Sequence, residues 1–214
     1  FALQDEITDR IVVALRVKLT EGEETRLQRK QTRSVAAWNH LSKGLAHVSR
    51  ANRADNAKAR ESFKRAIEVD PNYALAHAML AQTHWIEVFH HWSEDSKLSI
   101  GRAAALAEKA QRLDDALPEV YALQGVIHLV LRRYDAAVAA AEKAVALSPN
   151  HATGTAILGM ILQGAGRPRE AIARLKRAMR LSPYYTAWFL EVLGFAYLDV
   201  GEPDQALTAF GKFL

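Results

Sequence analysis

Small residues recur along this chain at a nearly constant spacing. Gly125 and Gly159 are 34 residues apart, and Gly159 and Gly194 are 35 apart. The same two intervals separate a second set of small residues, Ala137, Ala171 and Ala206. The residues between them carry apolar positions at helical spacing. The pattern predicts pairs of helices that repeat about every 34 residues.

A nine-residue segment of similar composition occurs four times: KRAIEVDPN at 64–72, EKAQRLDDA at 108–116, EKAVALSPN at 142–150 and KRAMRLSPY at 176–184. Its eighth place holds proline in three copies, and Pro149 and Pro183 are 34 residues apart. Proline has no amide hydrogen for an interior helical turn, so each copy is expected to end the second helix of a pair. A single pair cannot bury its own apolar face, which explains why the unit is repeated.

The small residues predict where the two helices of a pair touch. The first-helix column consists of Gly125, Gly159 and Gly194, with Ser42 and Ala81 in the earlier repeats. The second-helix column consists of Ala59, Ala103, Ala137, Ala171 and Ala206. Larger side chains are expected to fill the space between neighbouring pairs, namely Trp38, Phe63, Tyr121, Leu158, Leu193 and Phe210.

This spacing divides the chain into an N-terminal segment, 1–33, and a repeat array, 34–214. The predicted repeats are 35–73, 74–117, 118–151, 152–186 and 187–214. In the N-terminal segment, Ile7, Ile11 and Leu15 lie on one helical face, so 1–20 is predicted to be an amphipathic helix. The charged residues that follow are predicted to form a linker or a second short helix. We expect this helix either to cap the array or to fill its groove.

The 34-residue period, the small helix-contact residues and the terminal proline resemble the tetratricopeptide repeat family. That resemblance implies an all-α, right-handed solenoid of antiparallel helix pairs. The stretches FxxQDEI and IVxAL near the start, and WSEDSKLSIGRAAALAEKAQRLD at 92–114, are similar to the C-terminal repeat region of bacterial class III adenylate cyclases and related signalling regulators. In those proteins the catalytic domain precedes this region. The resemblance therefore implies that this chain regulates or scaffolds and does not catalyse.

Composition narrows the classes of function. The 214 residues are 50% hydrophobic, include no cysteine and carry a formal net charge of +4. Cysteine-free chains have neither disulfides nor thiolate metal sites. No stretch is long and apolar enough to span a bilayer, and no secretion signal is recognisable. We expect a soluble, cytoplasmic protein, and the start at Phe1 suggests part of a longer one.

The histidines raise the question of a metal site. His84, Glu87 and His91 share a helical face at i, i+3 and i+7, and these are ligand types that zinc accepts. However, His77, His84 and His128 fall at repeat positions that normally pack between helices. The chain also shows no phosphate-binding glycine loop, HExxH pair or GxSxG turn. We therefore predict no catalytic residue, no metal site and no cofactor.

Two basic clusters offer an alternative, nucleic-acid-binding interpretation. One contains Arg50, Arg53, Lys58, Arg60, Lys64 and Arg65, and the other contains Arg167, Arg169, Arg174, Lys176, Arg177 and Arg180. Second helices of such arrays face outward, where charged residues keep a solenoid in solution. Nucleic-acid binding is the weaker interpretation for this reason.

The first helices are expected to line a concave groove that binds a protein partner. The predicted groove residues are Asn39, His40, Lys43, Leu75, Met79, Gln82, Trp85, Leu123, Val126, Val130, Ile157, Met160, Gln163, Trp188, Val192 and Phe195. The middle of this set is apolar, which favours an amphipathic helix or an extended apolar segment as the partner. Asn39 and Lys43 are similar to part of the clamp for acidic chaperone termini, but Met79, Glu119 and Leu123 stand at its remaining places.

Self-association is also compatible with the residues. The last repeat stops at Leu214, and Phe210, Phe213 and Leu214 would lack the polar capping helix that such arrays need. Either the parent protein continues or another molecule covers this end. A homodimer through that end or through the groove is the corresponding prediction.

Overall fold

The structure, a computed structural model, describes residues 32–213. The helix and linker predicted at 1–33 lie almost wholly outside the described residues, as does Leu214. The described part contains ten α-helices and no strand. The helices are α1 Val35–Val48, α2 Arg53–Val69, α3 Ala74–Phe89, α4 Ser96–Leu113, α5 Pro118–Val130, α6 Tyr134–Leu147, α7 Ala152–Gly164, α8 Pro168–Leu181, α9 Trp188–Asp199 and α10 Pro203–Phe213.

Local sequence fixes where the helices begin. Ser34, Asn52 and Asp95 are the N-caps of α1, α2 and α4, and each side chain accepts a hydrogen bond from a backbone amide three residues further on. These bonds satisfy donors that a helix start leaves unpaired. Helices α5, α8 and α10 begin with proline, whose fixed backbone angle suits the first helical position.

The turns inside the later pairs share one backbone geometry. Arg132, Gly166 and Gly201 have φ of 56°, 76° and 77° and occupy the same place in three successive turns. The amide of the next residue bonds back to a carbonyl five residues earlier, as in Arg133 N to His128 O at 2.9 Å. This is a Schellman-type helix end, and it normally favours glycine at the left-handed position. Arg132 is the exception in this set.

Consecutive helices pack as pairs, α1 with α2 through α9 with α10. Each first helix also contacts the first helix of the next pair and the second helix of the preceding pair. This stepwise packing joins the pairs into a helical-repeat solenoid, and the all-α repeat prediction is confirmed. None of the described helices is long and apolar enough to cross a bilayer.

The close contacts within pairs follow the two columns of small residues. A Cβ added at Gly125 would lie 3.1 Å from the carbonyl oxygen of Ala137, and one added at Gly159 would lie 3.3 Å from that of Ala171. The backbones of the paired helices therefore approach at these positions, as predicted for the two columns.

Two details of the first pair correct the sequence analysis. The tight contact lies at Gly44, where an added Cβ would overlap the ring of Phe63, and Ser42 is only half-buried. Trp38, predicted to fill the space between pairs, is 40% exposed. Fifteen residues separate Gly44 from Ala59, whereas twelve separate Gly125 from Ala137. The difference arises mainly because α2 begins six residues before Ala59, whereas α6 begins three residues before Ala137.

Candidate functional site

An apolar groove with a volume of about 320 Å³ runs across the first helices of the first four pairs. Seven of the predicted groove residues line it: Leu75, Met79, Gln82, Trp85, Leu123, Val126 and Ile157. Residues that the sequence analysis did not assign to the groove complete the wall: Leu45, Ala78, Pro118, Glu119, Ala122, Ala144, His151, Thr153 and Gly154. The groove thus takes residues from the first helices α1, α3, α5 and α7, together with Ala144 of α6 and His151, the N-cap of α7.

The other predicted groove residues lie outside this groove: Asn39, His40, Lys43, Val130, Met160, Gln163, Trp188, Val192 and Phe195. Met160 and Val192 are each 6% exposed and belong to the core. Gln163 donates a hydrogen bond to Asp199 at 2.8 Å, linking α7 to α9. Phe195 packs edge-on against Phe210 of the last helix.

The groove residues occupy the same places in successive first helices, counted from the small residue at which each first helix contacts the second helix of its pair. One column directly follows the contact residue and consists of Leu45, Gln82 and Val126. A second stands six residues before it and consists of Leu75, Glu119 and Thr153. Leu45 was missed because α1 was aligned on Ser42. Glu119 and Thr153 could have been found from their spacing of 44 and 78 residues after Leu75.

Glu119 is the carboxylate of the groove wall. It lies in the first turn of α5, where a negative charge suits the helix dipole. Its Oε2 atom is buried and has no hydrogen-bond partner among the described residues. The groove lining contains no lysine or arginine. His151, another polar lining residue, caps α7 by accepting a hydrogen bond from the Gly154 amide.

The histidine cluster considered for zinc is part of a polar link between pairs. Glu87 of α3 accepts hydrogen bonds from Arg60 of α2 and from the Ser99 hydroxyl of α4, the latter at 2.6 Å. His84 Nδ1 lies 3.2 Å from the same carboxylate, and burial lowers the pKa of His84. Burial pushes the pKa of Glu87 up, but these hydrogen bonds bring it below its usual range.

His91, the third residue of that motif, lies in the turn after α3 with φ of 56°. No group of three His, Cys, Asp or Glu residues in the described part of the chain could hold a metal ion. The arrangement around Glu87 therefore acts as a hydrogen-bonded tie between the first two pairs.

Several members of the two basic clusters are paired within the chain. Arg50 lies 3.0 Å from Asp55, and Arg167 makes two hydrogen bonds of 2.7 Å to Glu170. Arg177 donates to the Pro149 carbonyl, which joins α8 to the end of the preceding pair. These contacts give the named arginines structural partners and reduce the positive potential that a polyanion would meet.

The comparisons with known proteins agree with this geometry. A family model for the tetratricopeptide repeat matches residues 118–151. A curated protein of Rhizobium meliloti (strain 1021), named "Putative adenylate cyclase 3", is 35% identical over 137 residues. The match covers 64% of this chain and 23% of that protein, so this chain spans less than a quarter of that relative's length.

Solved structures share the fold. A thermophilic tetratricopeptide repeat protein of Thermus thermophilus matches with a TM-score of 0.66 and 20% identity, covering 84% of this chain and 90% of that one. PilF of Pseudomonas aeruginosa matches with a TM-score of 0.57 and 20% identity, covering 83% and 75% respectively. The family match identifies a tetratricopeptide repeat at residues 118–151, and the stacked helix pairs with their columns of small contact residues give the described chain the fold of a tetratricopeptide repeat array.

Proposed function

We propose that this chain is a non-catalytic docking array that holds a segment of a protein partner in its apolar groove. The observation that carries this proposal is the convergence of apolar side chains from four successive first helices on one groove. Burying apolar surface is the main driving force of association. A partner that contacts several repeats buries apolar surface against each of them, and the favourable free energies add.

The dimensions of the groove favour a peptide-like segment. Its volume of about 320 Å³ is at the lower end of the range for ligand sites, and suits a few anchoring side chains. Trp85 stacks on Phe89 with ring centroids 5.0 Å apart, which gives one wall a fixed aromatic surface. An amphipathic helix would place apolar anchors at i, i+3 or i+4 and i+7 along such a surface.

A blocking substitution tests the groove without disturbing the core. Val126 is only 2% exposed, so a charge there would unfold the array. Thr153 is exposed and lines the groove, so Thr153→Trp fills it from the surface. Ala105→Trp places the same side chain at an exposed position of α4 away from the groove and serves as the matched control.

Pull-downs with wild type and both variants should distinguish the outcomes. We expect one partner set to be retained by wild type and by Ala105→Trp, and to be lost with Thr153→Trp while the circular dichroism spectrum stays the same. Retention of the same partners by Thr153→Trp would refute docking in this groove.

We further propose that the array is a regulatory region of a nucleotide-cyclase-type signalling protein. The support is the 35% identity to part of the Rhizobium protein. The full-length gene product should form cyclic nucleotide, and Thr153→Trp should change that rate when the partner is present. A full-length product without cyclase activity would refute this assignment.

Self-association is a second candidate, favoured by exposed apolar side chains on the last pair. Phe195, Leu198 and Leu207 are 47%, 49% and 70% exposed. We expect sedimentation velocity to show a concentration-dependent dimer that Leu207→Lys abolishes. A monomer at all concentrations would exclude this candidate.

A further inference from the structure

We infer that the groove selects a partner segment with a lysine or arginine among apolar residues, and that the Glu119 carboxylate binds this cation. The inference rests on the proposed function and specifies the chemistry of the partner. Glu119 Oε2 is buried and accepts no hydrogen bond from the described part of the chain. A buried carboxylate oxygen without a donor is unfavourable, so a ligand that draws the half-buried Glu119 carboxylate towards the groove and donates to it is preferred.

The helix of Glu119 contains no lysine or arginine. Its neighbours at i+3 and i+4 are Ala122 and Leu123, both of which line the groove. Other glutamates in the array have a basic residue at such a distance: Glu61 pairs with Lys64, Glu108 with Arg112 and Glu170 with Arg167. The contrast shows that Glu119 lacks the local pairing found on the outer helices.

The groove wall offers no cation either. Its lining includes no lysine or arginine, and its polar members besides Glu119 are Gln82, His151 and Thr153. The remaining lining is apolar, so a bound ion pair is shielded from water and its attraction is stronger than on an open surface. The same surroundings penalise a partner that brings an acidic group next to Glu119.

The column positions predict where the cation stands in the partner. Leu75 occupies the place of Glu119 on the neighbouring first helix. Adjacent packed helices are about 8–10 Å apart, so a partner side chain that meets Leu75 should be apolar and about that far from the cation. This distance corresponds to roughly five to seven residues of an α-helix or about three residues of an extended strand.

Peptide selection on the whole protein tests the inference. A displayed library of random peptides, each about 14 residues long so that a helical segment can span the groove, is selected in parallel on wild type, Glu119→Gln and Glu108→Gln. Glu119→Gln keeps the shape and removes the charge, and Glu108→Gln removes an exposed charge from an outer helix. We expect peptides from wild type and from Glu108→Gln to carry a lysine or arginine among apolar residues, and peptides from Glu119→Gln to lose that preference.

Affinities of the best synthetic peptide complete the test. Replacing its basic residue by methionine, or Glu119 by glutamine, should each weaken binding by about 10- to 100-fold, and the two changes together should cost no more than one alone. Enriched peptides that lack a basic residue, bind Glu119→Gln equally well and are blocked by Thr153→Trp would overturn this inference and leave the docking groove intact. No enrichment on wild type, or binding that Thr153→Trp does not affect, would overturn both.

Discussion

Gly44 provides a direct test of how the first helix pair is packed. Gly44 is buried in α1, and a Cβ at this position would overlap three atoms of the Phe63 ring on α2. Phe63 is fully buried within a cluster of apolar side chains, so its ring can move only if that cluster shifts with it. We therefore expect Gly44→Ala to destabilise the array, although alanine is normally the better helix former.

The magnitude follows from two opposing terms. Overpacking a well-filled core costs up to about 3 kcal/mol, and the higher helix propensity of alanine returns about 1 kcal/mol. Gly44→Ala should thus lower the free energy of unfolding by about 2 kcal/mol. Gly101→Ala is the matched control, because Gly101 is an exposed position inside α4 with no atom within 4 Å of an added Cβ. It should raise stability by about 1 kcal/mol.

Urea denaturation followed by circular dichroism measures both changes, and hydrogen exchange of α1 and α2 shows whether the loss is local. Ser42→Ala should have little effect, since Ser42 is half-buried and outside the contact. In a Phe63→Leu background the cost of Gly44→Ala should shrink, because the smaller side chain leaves room. If Gly44→Ala is as stable as wild type, or if Ser42→Ala is the more damaging change, the packing of α1 described above is incorrect.

Three further predictions concern the turns, the core and pH. Arg132→Gly should raise the free energy of unfolding by about 0.5–1 kcal/mol, because Arg132 has φ of 56°, an angle that glycine adopts without strain. Gly166→Ala at the equivalent place should lower the free energy of unfolding by about 1 kcal/mol. Urea titrations measure both changes, and two changes of the same sign would contradict this prediction. Tyr73→Phe should raise the free energy of unfolding by about 1 kcal/mol, because the Tyr73 hydroxyl is buried without a hydrogen-bond partner among the described residues. A lower melting temperature of Tyr73→Phe would contradict this and indicate that the hydroxyl has a partner. Burial lowers the pKa of His84 below its ordinary value of 6.5, so the unfolded chain binds that proton more readily. The stability that is present above pH 6.5 should therefore fall as the pH drops below 6.5. His84→Gln should flatten this dependence, and an unchanged slope would exclude His84 as its source.

Much of the candidate site follows from repeat arithmetic once the correct register is known. Leu75 and the 34- and 44-residue intervals are enough to locate Glu119 and Thr153 on the same wall. Leu45 could not be located in this way, because Gly44 stands 37 residues before Ala81 and two small residues, Ser42 and Gly44, compete for the contact position. Only the ring of Phe63, brought against Gly44 by packing, distinguishes them.

The sequence by itself determined the repeating architecture, because helix pairing at close range admits only small residues and a regular column of glycine and alanine leaves few alternatives. It also pointed to the groove, through the apolar first helices. Only the tertiary structure decided which members of that set line the shared groove, since buried apolar residues occur both in its wall, such as Leu123, and away from it, such as Met160. The unpaired state of Glu119 Oε2 among the described residues is likewise a property of the packed array, because it depends on what every neighbouring helix brings within hydrogen-bonding distance.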